Sequence, residues 1–377
     1  MAIKKIQTPT NTSQFDSKLL FAVCALLGIG LVAIASAGIF YAETRFNDDY
    51  FFFKRQLLFG ILPGALSLYF FQRADYHRWQ KVVVPLFLLN VILLILVFIP
   101  GIGGKIYGAS RWVQIGPLSF QPSEMTKLVV ILYLAAWFVG KGKEKVSDLF
   151  EGLVPFLAIF SVIAFLILKQ PDTGTLGVIF LISMAIFFAA GARLSHLGML
   201  LVGGMAVLGI LIKLAPYRLQ RFLVFLNPDL DPQGVGYHVS QALLAIGSGG
   251  FWGLGLGHSR QKFNYLPEPV TDSIFAIFSE EWGFIGALVV LSLFVFLAWR
   301  GFFIAKHAAD DFGKLVAVGI VMWITTQAFI NIAAISGLIP LTGIPLPFIS
   351  YGGTSLVFLM SGVGILLNIS RHATLKS

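Results

Sequence analysis

Leu19-Leu-Phe-Ala-Val-Cys-Ala-Leu-Leu-Gly-Ile-Gly-Leu-Val-Ala-Ile-Ala-Ser-Ala-Gly-Ile-Phe40 is an apolar run without a single charge. An α-helix needs roughly 20 such residues to cross the hydrocarbon core of a bilayer, and this stretch is long enough. Lys4, Lys5 and Lys18 precede it in a polar Thr/Asn/Ser-rich stretch. The run is too long for a signal-peptide core and has no convincing small-residue cleavage motif. It therefore reads as an uncleaved first membrane helix behind a short cytoplasmic tail, residues 1–18.

Similar runs recur as far as Ile369, at roughly 19–40, 56–72, 82–100, 125–140, 152–168, 175–191, 196–214, 274–299, 315–337 and 348–369. The whole chain is 57% hydrophobic and 12% charged and carries 36 Phe, far from a soluble globular average. The runs are continuously apolar rather than alternating, which predicts helices and argues against strands. The expected fold is an all-α integral membrane protein of about ten transmembrane helices. It forms one polytopic domain over 19–370, with a C-terminal tail at 371–377. The single cysteine, Cys24, lies within the first run, so no intramolecular disulfide can form.

Charge sets the orientation. The short loops 73–81 (Arg73, Arg78, Lys81), 141–151 (Lys141, Lys143, Lys145) and 300–314 (Arg300, Lys306, Lys314) are basic, as is the N-terminal tail. All fall on one side of a ten-span topology, and the positive-inside rule makes that side cytoplasmic, with both termini on it. The outer segments 101–127 and 213–273 hold Lys105, Arg111, Lys127, Arg218, Arg221, Arg260 and Lys262, but long loops are exempt from the rule. These cations either meet outer-leaflet phosphates or form a face that holds an anionic lipid head group. Residues 215–273 make a large extracytoplasmic loop between the seventh and eighth helices, too long and apolar for a plain connection. Within it Gly236–Ile246 has helical spacing and suits the membrane interface, and a Gly-rich run follows over 247–257.

The stretch Tyr265-Leu-Pro-Glu-Pro-Val-Thr-Asp-Ser-Ile-Phe-Ala-Ile-Phe-Ser-Glu-Glu-Trp-Gly-Phe-Ile-Gly286 places Asp272, Glu280 and Glu281 at the mouth of the eighth run and just inside it. On insertion scales an Asp near hydrocarbon costs about 2.5–3.5 kcal/mol unless protein, water or a cation compensates it. Pro267 and Pro269 favour an extended approach, and Thr271 or Asp272 is expected to cap the helix that starts near Ser273. Asp272 would stand at the outer membrane face and is assigned to chemistry. Glu280 and Glu281, about two turns deeper, are assigned to structure, paired with a Lys or Arg of another helix.

Three further constellations stand out. In Phe120-Gln-Pro-Ser-Glu-Met-Thr-Lys127, Pro122, Ser123 and Glu124 suit a helix start, whereas Lys127 is a cation at the unfavourable end of the dipole. Glu124 and Lys127 are i,i+3 neighbours; an ion pair and a substrate contact fit equally well. In Lys169-Gln-Pro-Asp-Thr-Gly-Thr175, Asp172 or Thr173 would cap a helix, and Asp172 could also orient cations that face a substrate. Between Asn331 and Ser355, Pro340, Pro345 and Pro347 stop regular helix, and the small residues allow close packing or a broken helix lining a cavity. There is no phosphate-loop motif for ATP hydrolysis and no His/Cys cluster with metal-ligand spacing. His196, His238 and His258 read as interfacial.

Several motifs run in one order across the chain: Gly-Ala-Ser-Arg-Trp at 108–112, Gln-Pro-Ser-Glu at 121–124, Gln-Pro-Asp-Thr-Gly-Thr at 170–175 and Gly-Tyr-His-Val-Ser-Gln-Ala at 236–242. They continue with Tyr-Leu-Pro-Glu at 265–268, Thr-Asp at 271–272 and Pro-Leu-Pro-Phe-Ile-Ser-Tyr-Gly-Gly at 345–353. Together they resemble the SEDS family (shape, elongation, division and sporulation), and the ten spans fit its topology. Gly257-His-Ser-Arg-Gln-Lys262 is more similar to the cell-division, FtsW-like branch than to the rod-elongation branch, though the sporulation branch is similar too.

The resemblance implies a lipid II glycosyltransferase of the bacterial cytoplasmic membrane. It would act at the division septum with a class B penicillin-binding transpeptidase and other division proteins, and no nucleic acid is expected as a partner. Asp272 matches the acid regarded as essential in the family; Arg111, Glu124, Lys127 and Asp172 match positions lining its central cavity. One departure counts: family members commonly carry His before the Thr-Asp pair, where this chain has Val270. The implied reaction inverts an α linkage to a β linkage. Asp272 would take the proton of the acceptor GlcNAc 4-hydroxyl as undecaprenyl pyrophosphate departs. Arg111 and Lys127, with Arg218 or Arg260, would neutralise the leaving group, a role a divalent cation could share. The alternative is a lipid II flippase, which should line both halves of its path with polar groups, whereas these motifs gather on the outer side.

Overall fold

The computed structural model describes residues 15–106, 109–115 and 118–373. Most of both expected tails, and Gly108 of the Gly-Ala-Ser-Arg-Trp motif, lie outside the described residues. The chain begins with α1 (Ser17–Phe46), capped by Asp16, whose carboxylate accepts from the Leu19 N–H at 2.9 Å. Next come α2 (Phe51–Gln56), a π-helical turn over Leu57–Ile61, α3 (Leu62–Arg73) and α4 (His77–Leu96). A small antiparallel sheet follows, β1 (Gly103–Ile106), β2 (Ala109–Ile115) and β3 (Leu118–Phe120), with β2 in the middle. Then come α5 (Pro122–Lys141), the short α6 (Lys143–Val146), α7 (Val154–Lys169), α8 (Thr173–Ala189) and α9 (Leu194–Leu214). The large loop holds α10 (Pro216–Leu226) and α11 (Val235–Ser248), and the chain closes with α12 (Ile274–Lys306), α13 (Asp311–Ile335) and α14 (Gly353–His372).

Each of the ten expected runs carries helix, and eight helices among the described residues are long and apolar enough to cross a membrane. The helix Thr173–Ala189 is apolar but shorter, and the second run is interrupted by its π turn. The expectation against strands fails over 103–120. A three-stranded sheet held by a few cross-strand pairs, such as Gly103 with Val113 and Val113 with Phe120, leaves no trace in a search for long apolar runs. The last helix starts at Gly353 rather than 348. Pro345 and Pro347 precede Phe348, which takes a positive φ of 65°, so the backbone turns before it can enter a helix.

α13 lies at the centre, packed against α5, α8, α12 and α14, with Trp323 wholly buried. Phe138, Phe156 and Phe187 stack where α5, α7 and α8 meet. In contrast, α9 leaves most of its apolar side chains exposed, as a lipid-facing helix does. One end of the bundle is tied by polar contacts. Arg300 Nε donates to Asp16 at 2.6 Å, the Asp16 N–H donates to the Ser370 hydroxyl, and the Tyr76 N–H donates to Asn368. The start of α1, the α3–α4 turn, the end of α12 and the end of α14 therefore meet.

The Gly-rich run does not float. α12 breaks at Gly283 (φ 65°, ψ −165°), and residues 250–255 fill the break. Phe284 N–H and Ile285 N–H donate to the carbonyls of Gly250 and Phe251, while the freed carbonyls of Glu280 and Glu281 accept from Leu254 and Gly255. Two helical hydrogen bonds are thus exchanged for four with the loop, so the break leaves those backbone groups satisfied.

Candidate active site

The starts of α5, α8, α12 and α14 converge on a cavity of about 950 Å³. Its apolar lining comes from Leu58, Phe59 and Pro63 of the π turn and α3 together with Val357 and Phe358 of α14. Its charged lining comes from Arg55, Arg111, Glu124, Asp172, Glu268 and Asp272, with the Arg55 guanidinium 5.5 Å from the Phe59 ring. This end of α12 is remote from Arg300, since nearly the whole helix separates them.

Asp272 sits just before α12 and is partly buried. The helix's first residue follows Ser273, and no side chain caps it, so the expected cap by Thr271 or Asp272 does not form. The Thr271 hydroxyl instead donates to Glu268 Oε2 at 2.8 Å, made possible because Glu268, between two prolines, turns back with φ 50°. The Asp272 carboxyl is left facing the cavity, with a long contact from the Thr271 hydroxyl at 3.4 Å. Burial, and then the negative charge of Glu268, push its pKa up to about 7, against a weaker downward pull from Arg221.

Arg111 reaches from β2 to the α7–α8 turn, where Nε donates to the Gln170 carbonyl at 3.1 Å and Nη2 to that of Pro171. Asp172 follows in the same turn, caps α8 by accepting from the Thr175 N–H at 3.2 Å, and still borders the cavity. Lys127 is only 2% exposed and is not among the cavity-lining residues; its ammonium lies 2.8 Å from Glu124 and 2.9 Å from Gln327 Oε1. Glu124 reaches the cavity and Lys127 stands behind it.

The other assigned cations are elsewhere. Arg218 donates to the Leu211 carbonyl, and Arg260 is exposed, with its backbone N–H bound to Glu280. Neither lines the cavity. Arg221, on α10, is the cation of the large loop whose charge bears on Asp272, and its guanidinium bonds the Leu341 carbonyl at 3.2 Å. Glu280 accepts from the hydroxyls of Ser248 and Ser259 and from the backbone N–H groups of Arg260 and Gln261. Glu281 pairs with Lys262 at 3.2 Å and accepts from Ser36 on α1 at 2.6 Å.

Val270 is buried in the core against Gly38 and reaches no cavity. Among the histidines, His238 binds the Ser273 hydroxyl at 2.6 Å, and burial lowers its pKa to about 4. His196 is buried beside Phe187, and His258 is exposed. Among the described residues no group of three or more His, Cys, Asp or Glu is placed to hold a metal ion.

A family model described as cell cycle protein, covering FtsW, RodA and SpoVE, matches residues 17–375. The chain belongs to this family, the SEDS family. It is 44% identical to the stage V sporulation protein E of Bacillus subtilis over 365 residues, 97% of this chain and 99% of that one. It is 40% identical to a protein of Trichlorobacter lovleyi named a probable peptidoglycan glycosyltransferase FtsW, over 97% of this chain and 95% of that one. Among solved structures it matches a chain from a study of how a peptidoglycan synthase complex coordinates polymerization and crosslinking (TM-score 0.79, 28% identity, 96% of this chain and 99% of that one). It also matches the rod shape determining protein RodA of Thermus thermophilus (TM-score 0.71, 28% identity, 96% and 98%). The fold is thus the predominantly helical SEDS membrane fold, and the protein is a multi-pass protein of the inner membrane.

Glu268 and Arg55 were not singled out from the sequence, and Arg221 stood there only as one of several outer cations. Glu268 carried a signal in its position between two prolines of the Tyr-Leu-Pro-Glu motif. Arg55 carried none, since it sits in a segment where a cation is unremarkable, and Arg221 carried only the signal shared by all the outer cations.

Proposed function

We infer that this chain is a peptidoglycan glycosyltransferase that polymerises lipid II into glycan strands at the outer face of the cytoplasmic membrane. The observation that carries the reading is Asp272, a carboxyl with a raised pKa on a cavity lined by both charged and apolar side chains. Such a cavity suits a sugar-pyrophosphate head on a long hydrocarbon chain. A base poised near neutral pH is well matched to proton abstraction from a hydroxyl.

The step balances simply. Asp272 takes the proton of the acceptor GlcNAc 4-hydroxyl as that oxygen forms a bond to the donor's anomeric carbon on the face opposite the pyrophosphate. The bond from that carbon to the pyrophosphate oxygen breaks, and the electron pair leaves with undecaprenyl pyrophosphate. Arg111 and Arg55, on the same cavity, are placed to offset the charge of the leaving group. Asp172 caps the helix that follows the turn whose carbonyls hold Arg111, and Glu124 pairs with Lys127. Lys127 acts through Glu124, which lines the cavity, whereas Arg218 and Arg260 do not line it and take no part in this reading.

The basic loops lie at the end of the bundle opposite the cavity, which supports an outward-facing site and cytoplasmic termini. The structural neighbour from a peptidoglycan synthase complex supports a class B penicillin-binding transpeptidase as partner. The FtsW and SpoVE relatives support a role in division or sporulation, and we place the protein at the septum. The flippase alternative is not favoured by the relatives' names, which specify glycosyl transfer.

The deciding assay uses purified protein with its transpeptidase and labelled lipid II in detergent, where no membrane has to be crossed. Glycan polymer is expected from the wild type and none from Asp272→Asn. A flippase would yield no polymer at all, and polymer at wild-type rate from Asp272→Asn would sink the base assignment.

A further inference from the structure

Three successive carbonyls lead into the proposed base, and none of them is held by its own helix. The Val270 carbonyl accepts from the Tyr351 N–H at 2.8 Å, that of Thr271 from the Ser350 hydroxyl at 2.5 Å, and that of Asp272 from Asn331 Nδ2 at 2.8 Å. All three donors come from α13 or from the segment that follows it. Asn331 is buried, and its Nδ2 donates a second bond to the Ile344 carbonyl at 2.8 Å. With two carbonyl acceptors beside it, only the nitrogen can occupy that position, so the amide orientation follows from chemistry. Ser350 likewise accepts from the Leu346 N–H at 2.8 Å while donating to Thr271. One turn before Asn331 on the same face of α13, Gln327 Nε2 donates to the Pro345 carbonyl at 3.0 Å.

The junction needs such support. The start of α12 has no side-chain cap, and residues 249–273 reach it through turns alone. The segment 343–355 borders the same cavity as Asp272, through Gly343, Pro345 and Tyr351 to Ser355.

We infer that Asn331 and Ser350 are positioning residues for Asp272, clamping the backbone of the base to segment 344–351 so that its carboxyl is held at the cavity wall. The inference rests on the reading of Asp272 as the base. The charged and titratable groups around that carboxyl are Glu268 on its own loop and Arg221 from α10, with His238 of α11 reached through Ser273. Arg55, Arg111, Glu124 and Asp172 line the same cavity.

The test measures lipid II polymerisation by the full chain with its transpeptidase, as a function of substrate and pH, in Asn331→Ala, Ser350→Ala, Ser350→Thr and Asp272→Asn. Displacement of a reacting group by about 1 Å costs on the order of 100-fold, so kcat of Asn331→Ala is expected to fall roughly 10- to 100-fold. KM for lipid II should stay nearly constant, because the substrate's contacts are untouched. The acid limb of the kcat profile should move to lower pH as the carboxyl gains water. Ser350→Thr, which keeps the hydroxyl, should recover most of what Ser350→Ala loses.

A wild-type kcat and acid limb in folded Asn331→Ala would overturn the clamp, as would loss of folded protein with unchanged activity per folded molecule. If Asn331→Ala does not fold, the Ser350 pair decides: equal kcat and acid limb in Ser350→Ala and the wild type overturns the inference. An active Asp272→Asn overturns the base reading instead, so the two failures are distinguishable.

Discussion

Lys127 and Gln327, 200 residues apart in sequence, share a hydrogen bond of 2.9 Å in a site closed to solvent. Gln327 Oε1 also accepts from the Trp323 indole at 2.9 Å, and its Nε2 holds the Pro345 carbonyl. Glu124 on the cavity wall is thereby linked through Lys127 and Gln327 to the segment that borders Asp272.

A buried pair is costly to break on one side, because the remaining charge loses its partner; the penalty is about 3–5 kcal/mol. Lys127→Met should therefore lower the thermal unfolding midpoint of the detergent-solubilised protein markedly. Glu124→Gln combined with Lys127→Met should recover most of the loss. Equal destabilisation by the single and double variants would mean that the pair is not the reason Lys127 is needed.

Glu268→Gln removes the nearest negative charge that raises the Asp272 pKa. Asp272 should then ionise at lower pH, since burial alone remains to oppose it. The base is needed ionised, so polymerisation by the wild type should fall as pH drops through about 7. In Glu268→Gln the acid limb should lie at lower pH, with the activity plateau above it little changed. A limb that stays in place would separate Glu268 from the base.

Stability carries the opposite sign. Asp272 ionises at about 7 in the folded chain but near 3.8 when solvated, so between those values the unfolded chain binds fewer protons than the folded one. The raised pKa weakens the fold as pH climbs through that window. Asp272→Asn, which carries no such cost, should unfold no more easily than the wild type at pH 8. A clear loss of stability there would show that the carboxylate makes a favourable contact in the fold.

Gly283→Ala tests the break in α12. Its backbone lies in a region open essentially to glycine, which costs other residues about 1–3 kcal/mol. An added Cβ would also stand 2.3 Å from the Gly253 nitrogen. The substitution should expel residues 250–255 from the break, seen as faster amide exchange at Phe284 and Ile285. Unchanged exchange would mean that the loop holds without the kink.

The assignments to membrane and helix rest on local information: an unbroken apolar run such as Leu19–Phe40 cannot be hydrated, whatever it packs against. The same holds for Pro122 and Asp172, whose helix-start chemistry involves residues within one turn. The small sheet of β1, β2 and β3 was not legible, because a few cross-strand pairs replace the long periodicity that marks a span. The capping role expected of Thr271 or Asp272 failed for a related reason. Glu268 competes for the Thr271 hydroxyl, and that depends on a backbone turn that spacing does not reveal.

By itself the sequence determined that this chain lies in a membrane, roughly where it crosses, and that Asp272 stands at the mouth of a span. Hydropathy and spacing act over neighbouring residues, so they can be read along the chain. Only the tertiary structure decided which charges meet. Lys127 turned inward to Glu124 and Gln327, Arg218 and Arg260 stayed away from the cavity, and Arg221, Glu268 and Asn331 came to bear on Asp272. Charge–charge and hydrogen-bond energies fall off within a few ångströms and depend on burial, and both are set by segments that meet only once the helices have packed.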